Sequence, residues 1–258
     1  MNLTERLLWA DISADYPEKP DVLKSVRLSM RAGEILGLIG QSGSGKSTVA
    51  LAIPRLLELR GGTVRGAIRF CGRDLMSASS GELRHLRGNQ IAMVLQSPMA
   101  ALNPALRLDT QLREVWKAHR REPWTEGREL ARALLAHMGL PSDKAFLRSF
   151  PRQLSVGQAQ RVVITMAVLH RPKLLIADEP TSALDPITAS EIIELLRSLN
   201  REFGTAILYI SHDLETVANL CHAVAVIREG RLVEYGPVEH EFGHTPEPLR
   251  LANALLQA

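Results

Sequence analysis

The stretch Gly40-Gln41-Ser42-Gly43-Ser44-Gly45-Lys46-Ser47-Thr48 has the spacing G-x-x-x-x-G-K-[ST], which suits the binding of phosphates. Its glycines let backbone N–H groups close around phosphate oxygens. A helix that starts there adds unpaired donors and a partial positive charge. Lys46 can reach β- and γ-phosphates, and the Ser47 hydroxyl can ligate Mg²⁺. A second group lies at Asp178-Glu179, directly after the apolar run Leu174-Leu175-Ile176-Ala177. A carboxylate at the C-terminal end of a strand stands where α/β sheets bind ligands. Asp178 suits a Mg²⁺ partner, and Glu179 suits a base that polarises an attacking water.

These groups need particular elements to hold them. Ile35-Leu36-Gly37-Leu38-Ile39 reads as a buried strand before the phosphate loop, and Ser47 to Leu59 as a helix after it. Residues 20–39 read as short strands leading into the loop. Glycines 61, 62, 66 and 72 punctuate a β-rich stretch, Thr63 to Phe70, expected to form an antiparallel element. Ile91 to Leu95, Ala206 to Ile210 and Ala223 to Ile227 are further strands, and Pro98 and Pro104 break regularity. Leu108 to Met138 is helical, divided at Pro123. Asp185 can cap a long helix with Pro186 in its first turn, a stripe of Ile187, Ile192, Leu195, Leu196 and Leu199, and Gly204 at its end. Ser155 and Gln158 have capping-box spacing at the start of another helix. Strand–helix alternation implies an α/β fold with a mostly parallel sheet covered by helices.

Composition narrows the classes. Of 258 residues 45% are hydrophobic and 23% charged, and the net charge is +3, ordinary for a soluble globular chain. No apolar run approaches the ~18 residues of a membrane span, and residues 1–11 lack a signal-peptide core. The expectation is therefore a cytoplasmic chain. Cys71 and Cys221 have no metal-ligand spacing. The arginines at 113, 120, 121, 128 and 132 alternate with glutamates at 114, 122, 126 and 129. That reads as a solvated helical face, so no nucleic-acid partner is expected.

Taken together, the motifs resemble those of ABC-type ATPases along nearly the whole chain. Gly40 to Thr48 is similar to the Walker A loop, and Leu174 to Glu179 to Walker B with its glutamate. Gln96 matches the Q-loop glutamine, which touches Mg²⁺ or the water. Leu154-Ser155-Val156-Gly157-Gln158 matches the signature LSGGQ, and Ser182-Ala183-Leu184-Asp185 the D-loop. His212 matches the switch histidine that contacts the γ-phosphate, and Tyr16 the aromatic that stacks on adenine. The resemblance implies a P-loop NTPase core of the RecA-like kind. Residues 1–97 and 166–235 would form this core with an antiparallel β subdomain, 98–165 an inserted helical subdomain with the signature, and 236–258 a short tail. It implies ATP and Mg²⁺ as cofactors. Glu179, His212 and Gln96 would be catalytic. Ser47, Gln96 and Asp178 would serve the metal. Tyr16, Gly40, Ser42, Gly43, Ser44, Gly45, Lys46, Ser47, Thr48, Ser155, Gly157, Gln158 and Asp185 would hold nucleotide. Val156 departs from the pattern, which has glycine there.

Gln96-Ser97-Pro98-Met99-Ala100-Ala101-Leu102-Asn103-Pro104 resembles the QDPMTSLNP segment of the oligopeptide, dipeptide and nickel importer branch. Gly230 to Gly236 resembles that branch's G-x-I-V-E-x-G turn. The implied partners are transmembrane permease subunits, a second ABC ATPase subunit and, indirectly, a periplasmic or extracellular solute-binding protein. The implied location is the cytoplasmic face of the plasma membrane. Because the signature serves the site of the opposing subunit, Val156 favours a heterodimer over a homodimer. The alternative reading is an accessory ABC ATPase of a soluble enzyme complex, for example one of phosphonate breakdown.

Overall fold

A computed structural model describes residues 6–238. Most of the tail expected at 236–258 lies outside the described residues. In chain order come β1 (Leu8–Tyr16), β2 (Lys19–Met30), β3 (Ile35–Ile39), α1 (Lys46–Ala52), β4 (Thr63–Phe70), β5 (Arg73–Asp74) and α2 (Ser80–Leu86). Then follow β6 (Ile91–Val94), α3 (Pro98–Ala101), α4 (Leu108–His119), α5 (Trp124–His137), α6 (Lys144–Leu147), α7 (Val156–Val168), β7 (Leu174–Asp178) and α8 (Pro186–Phe203). The described chain ends with β8 (Ala206–Ser211), α9 (Leu214–Leu220), β9 (Ala223–Arg228) and β10 (Arg231–Pro237). The residues divide into two compact bodies, one of residues up to 84 with those from 200 onward, the other of residues 85–199.

In the first body β1 alternates buried and half-buried residues, so Leu8, Ala10, Ile12 and Ala14 face one side. It pairs antiparallel with β2 and β4, giving the antiparallel sheet β2-β1-β4-β5. β3 is buried throughout, as a strand covered on both faces must be. It lies parallel to β8 on one side and β9 on the other, and β10 adds antiparallel to β9. In the second body β6 and β7 run parallel. The helices α3 to α7 fill the sequence between these two strands.

Three sequence expectations shift. The helix after the phosphate loop ends at Ala52, not near Leu59. Pro54 cannot donate a backbone hydrogen bond, and Arg55 takes a positive φ of 56°. Its guanidinium holds Glu58 and the carbonyls of Leu75 and Met76. Pro98, expected only to break regularity, opens the one-turn helix α3, where its fixed φ and missing N–H are harmless. Ile187 is 75% exposed. It lies roughly 140° around α8 from Ile192, off the buried stripe of Ile192, Leu195, Leu196 and Leu199.

Candidate functional site

The phosphate loop belongs to the first body. Two of its glycines, Gly40 and Gly45, are required by close approach. A Cβ on Gly40 would stand 2.2 Å from the Ile227 carbonyl oxygen, and one on Gly45, at φ 110°, would stand 2.7 Å from Leu23 Cδ2. The Gly230 N–H donates to the Ser44 carbonyl at 3.0 Å, and Gly230's own carbonyl accepts from the Lys24 N–H at 2.7 Å. The β9–β10 turn thus braces the loop against β2, a support that the motif itself does not show. Lys46 is 7% exposed, and its Nζ donates to the carbonyls of Gly40 and Gln41 at 2.7 and 3.0 Å. The ammonium is thereby curled over the loop.

Ser44 Oγ is buried without a hydrogen-bond partner. Such a group costs free energy unless something completes it, and phosphate oxygens accept from hydroxyls. The loop therefore fits a nucleotide phosphate chain. The Ser47 hydroxyl belongs to an exposed residue and can reach a cation bound with it, whereas Thr48 is buried.

Register places His212 on the same edge. Ile39, the last residue of β3, lies opposite Ser211, the last of β8. Gly40 and His212 therefore leave neighbouring parallel strands at the same end. Asp213 then caps α9, accepting from the N–H groups of Glu215 and Thr216 at 3.0 and 3.3 Å. Tyr16, half-buried, closes the tip of β1 opposite Lys19 in the same body.

The second body carries the remaining residues. Val94 lies opposite Ala177 in the parallel β6–β7 pair. Gln96 and the Asp178-Glu179 pair therefore emerge at one edge. Asp178 is 7% exposed at the end of β7. Glu179 holds a φ of 46°, uncommon for a non-glycine residue. Its carbonyl accepts from the Ser182 hydroxyl at 3.1 Å.

Ser155 and Gln158 form the expected capping box at the start of α7, with bonds of 3.0 and 3.1 Å. Asp185 caps α8, accepting from the Thr188 N–H at 3.0 Å. Thr188 was not apparent from sequence. A Cβ on Gly157 would stand 2.6 Å from its Cγ2. Val156, one residue earlier, is 42% exposed, so only the second of the two positions demands glycine within this chain.

An apolar recess of about 330 Å³ also lies in the second body, lined by Ala92 and Met93 of β6, Ala101 of α3, Val115 of α4, and Val163 and Met166 of α7, among others. Leu95 and Met99, beside Gln96, are exposed. His119 borders the recess, and two further imidazoles pack on its ring. The centroids of His119 and His170 are 5.1 Å apart, and those of His85 and His119 are 6.2 Å apart.

Residues 23–182 match the family model described as ABC transporter. The oligopeptide transport ATP-binding protein OppD of Escherichia coli is 42% identical over 235 residues, covering 90% of this chain and 69% of that protein. The dipeptide transport ATP-binding protein DppD of the same organism is 41% identical over 221 residues, covering 86% and 67%. A dimeric ATP-binding cassette in a post-hydrolysis state, bound to ADP and Pi, superimposes with TM-score 0.77 at 27% identity, covering 91% of this chain and all of that one. The cbiO1 protein of Clostridium perfringens, part of the ABC transporter complex cbiONQ, gives TM-score 0.78 at 27% identity, covering 98% and 96%. The phosphate loop, the Asp178-Glu179 strand end and the capped Ser155 helix stand in one α/β chain with these relatives, and the chain belongs to the ABC transporter family as its ATP-hydrolysing cassette.

Proposed function

We propose that this chain powers a binding-protein-dependent importer of short peptides from the cytoplasmic face of the plasma membrane. The observation that carries the reading is the match over 90% of the chain to a protein named for oligopeptide transport. The dipeptide transport protein points the same way and favours a peptide over nickel or a metal chelate. None of the described helices is long and apolar enough to cross a membrane, so the solute path would belong to permease subunits. The recess beside β6 supplies a surface on which an apolar permease helix would dock.

The chemistry is phosphoryl transfer to water, governed by positioning and charge stabilisation. Gly40 to Thr48 would hold the phosphate chain through backbone N–H groups, and Lys46 would exchange its loop carbonyls for phosphate oxygens. Tyr16 would stack on adenine. Mg²⁺, when bound with ATP, neutralises developing phosphate charge, and Ser47, Asp178 and Gln96 are the residues suited to hold it. Glu179 would take a proton from the attacking water, and His212 would contact the γ-phosphate. Residues 98–165 would serve as the helical subdomain that presents Ser155, Gly157 and Gln158 to nucleotide held by a second ATPase subunit, with Asp185 lining the same junction.

We assign that second subunit to a related chain with an intact signature. Val156 sits exposed at the helix start, so its side chain would face the opposing nucleotide. Two copies of this chain would carry the substitution in both sites, whereas a heterodimer would keep one site complete.

Affinity purification from detergent-solubilised membranes, with mass identification of the associated chains, tests the reading. Permease chains and a second, non-identical ABC ATPase are expected. Recovery of soluble enzyme subunits instead would favour the accessory role in an enzyme complex. Recovery of this chain as the sole ATPase would overturn the heterodimer.

A further inference from the structure

A pocket of about 510 Å³ in the first body, with charged side chains in its wall, opens at the N-terminal end of β3, the opposite end of that strand from the phosphate loop. Its wall includes Arg6, Arg31, Glu34, His222, Tyr235 and Pro237. The His222 Nδ1 accepts the Ile35 N–H at 2.8 Å. The proton of the neutral ring is thereby fixed on Nε2, which becomes a donor. Neither the Arg6 nor the Arg31 guanidinium has an ion pair or hydrogen bond among the described residues.

Glu34 is 8% exposed. One of its carboxylate oxygens accepts the Arg31 N–H at 2.6 Å, which ties the acid to the wall. Tyr235 donates its hydroxyl to the Ser29 carbonyl at 3.0 Å, so its ring serves as an apolar side. Two uncommitted guanidiniums and an imidazole N–H therefore share a pocket with a buried carboxylate.

This juxtaposition selects a ligand class. Guanidinium and imidazole donors form charge-assisted bonds to a carboxylate. A plain anion would gain these bonds but meet the Glu34 charge. A plain cation would meet the two arginines. A zwitterion satisfies both ends. The volume lies in the usual range of small-molecule pockets, with room for two amino-acid units. We infer that this pocket binds a small zwitterion of dipeptide size, its carboxylate on Arg6, Arg31 and His222 and its ammonium on Glu34. The choice of a peptide rests on the import reading above, while the pairing of charges rests on the pocket alone.

Isothermal titration of the full chain with L-alanyl-L-alanine near neutral pH tests this, and needs neither permease nor ATP turnover. Failure here leaves the import reading standing, and failure of import leaves the pocket standing. Saturable binding is expected, weakened at least tenfold by Arg31→Ala and by Glu34→Gln, whose amide oxygen still accepts the Arg31 N–H. The N-acetylated dipeptide, which lacks the ammonium, and the dipeptide amide, which lacks the carboxylate, should each bind at least tenfold more weakly. Lys46→Ala should bind the dipeptide as the unaltered chain does. Absence of binding, equal binding of the acetylated analogue, or loss of binding in Lys46→Ala would each overturn the assignment.

Discussion

Gly157 at the start of α7 abuts Thr188 at the start of α8 so closely that a Cβ on Gly157 would lie 2.6 Å from the Thr188 methyl. The two capped helix starts, one with Ser155 and the other with Asp185, are thus fitted to each other through a missing side chain. Gly157→Ala should destabilise the chain by about 1–3 kcal/mol through overpacking. Thr188→Ser deletes the methyl and keeps the hydroxyl, so the double variant should regain most of the loss. Thermal unfolding of the single and double variants checks it. Equal losses with and without Thr188→Ser would show that the methyl is not the obstacle.

Val156 has no such constraint within its own chain, since it is 42% exposed. Val156→Gly should leave the melting temperature nearly unchanged. In the assembled importer it should raise ATPase activity, or leave it flat if a partner's intact signature completes one sufficient site. A large fall would mean that valine itself makes a needed contact and would end the case that Val156 makes for a heterodimer.

Ser44 Oγ is buried without a partner. Ser44→Ala removes that unsatisfied hydroxyl, so the nucleotide-free chain should be as stable as before or slightly more stable. Mg-ATP affinity should nevertheless fall several-fold. Lys46→Ala should abolish productive binding, since its ammonium is the loop's side-chain charge. Calorimetry with Mg-ATP reads both variants, and unchanged affinity in Lys46→Ala would remove the phosphate-binding role from the loop.

Glu179→Gln keeps size and backbone while removing the carboxylate proposed as the base. Hydrolysis should drop ~10²–10⁴-fold, with ATP binding retained and a nucleotide-bound dimer accumulating. Single-turnover kinetics and size-exclusion chromatography decide it. Near-normal turnover would show that another group activates the water.

The imidazoles at the recess give stability a pH dependence. Burial, followed by the neighbouring His170, holds His119 below the ordinary imidazole value, and burial does the same for His170. A depressed histidine takes up its proton more readily when unfolded. Stability is therefore fully present above about pH 6.5 and declines as pH falls below it, until the folded rings protonate in turn. Melting temperatures at about pH 7.5 and 5.5 should differ less in a His119→Gln, His170→Gln double variant than in the unaltered chain. An identical difference would place the proton uptake elsewhere.

Sequence alone determined whatever depends on neighbours along the chain. The strand, phosphate loop and helix from Ile35 to Ala52 are contiguous. The Ser155–Gln158 box and the Asp185 cap act within one turn. Tertiary structure decided what depends on residues distant in sequence. The closeness of Gly40 and His212 follows from the Ile39–Ser211 register, which strand composition does not encode. The need for glycine at 157 comes from another helix. The meeting of His85, His119 and His170, and of Arg6, Arg31, Glu34 and His222, joins segments far apart in the chain. Local patterns carry periods of two and 3.6 residues, whereas these contacts are fixed by topology and register, where the energy of packing outweighs any single residue's preference.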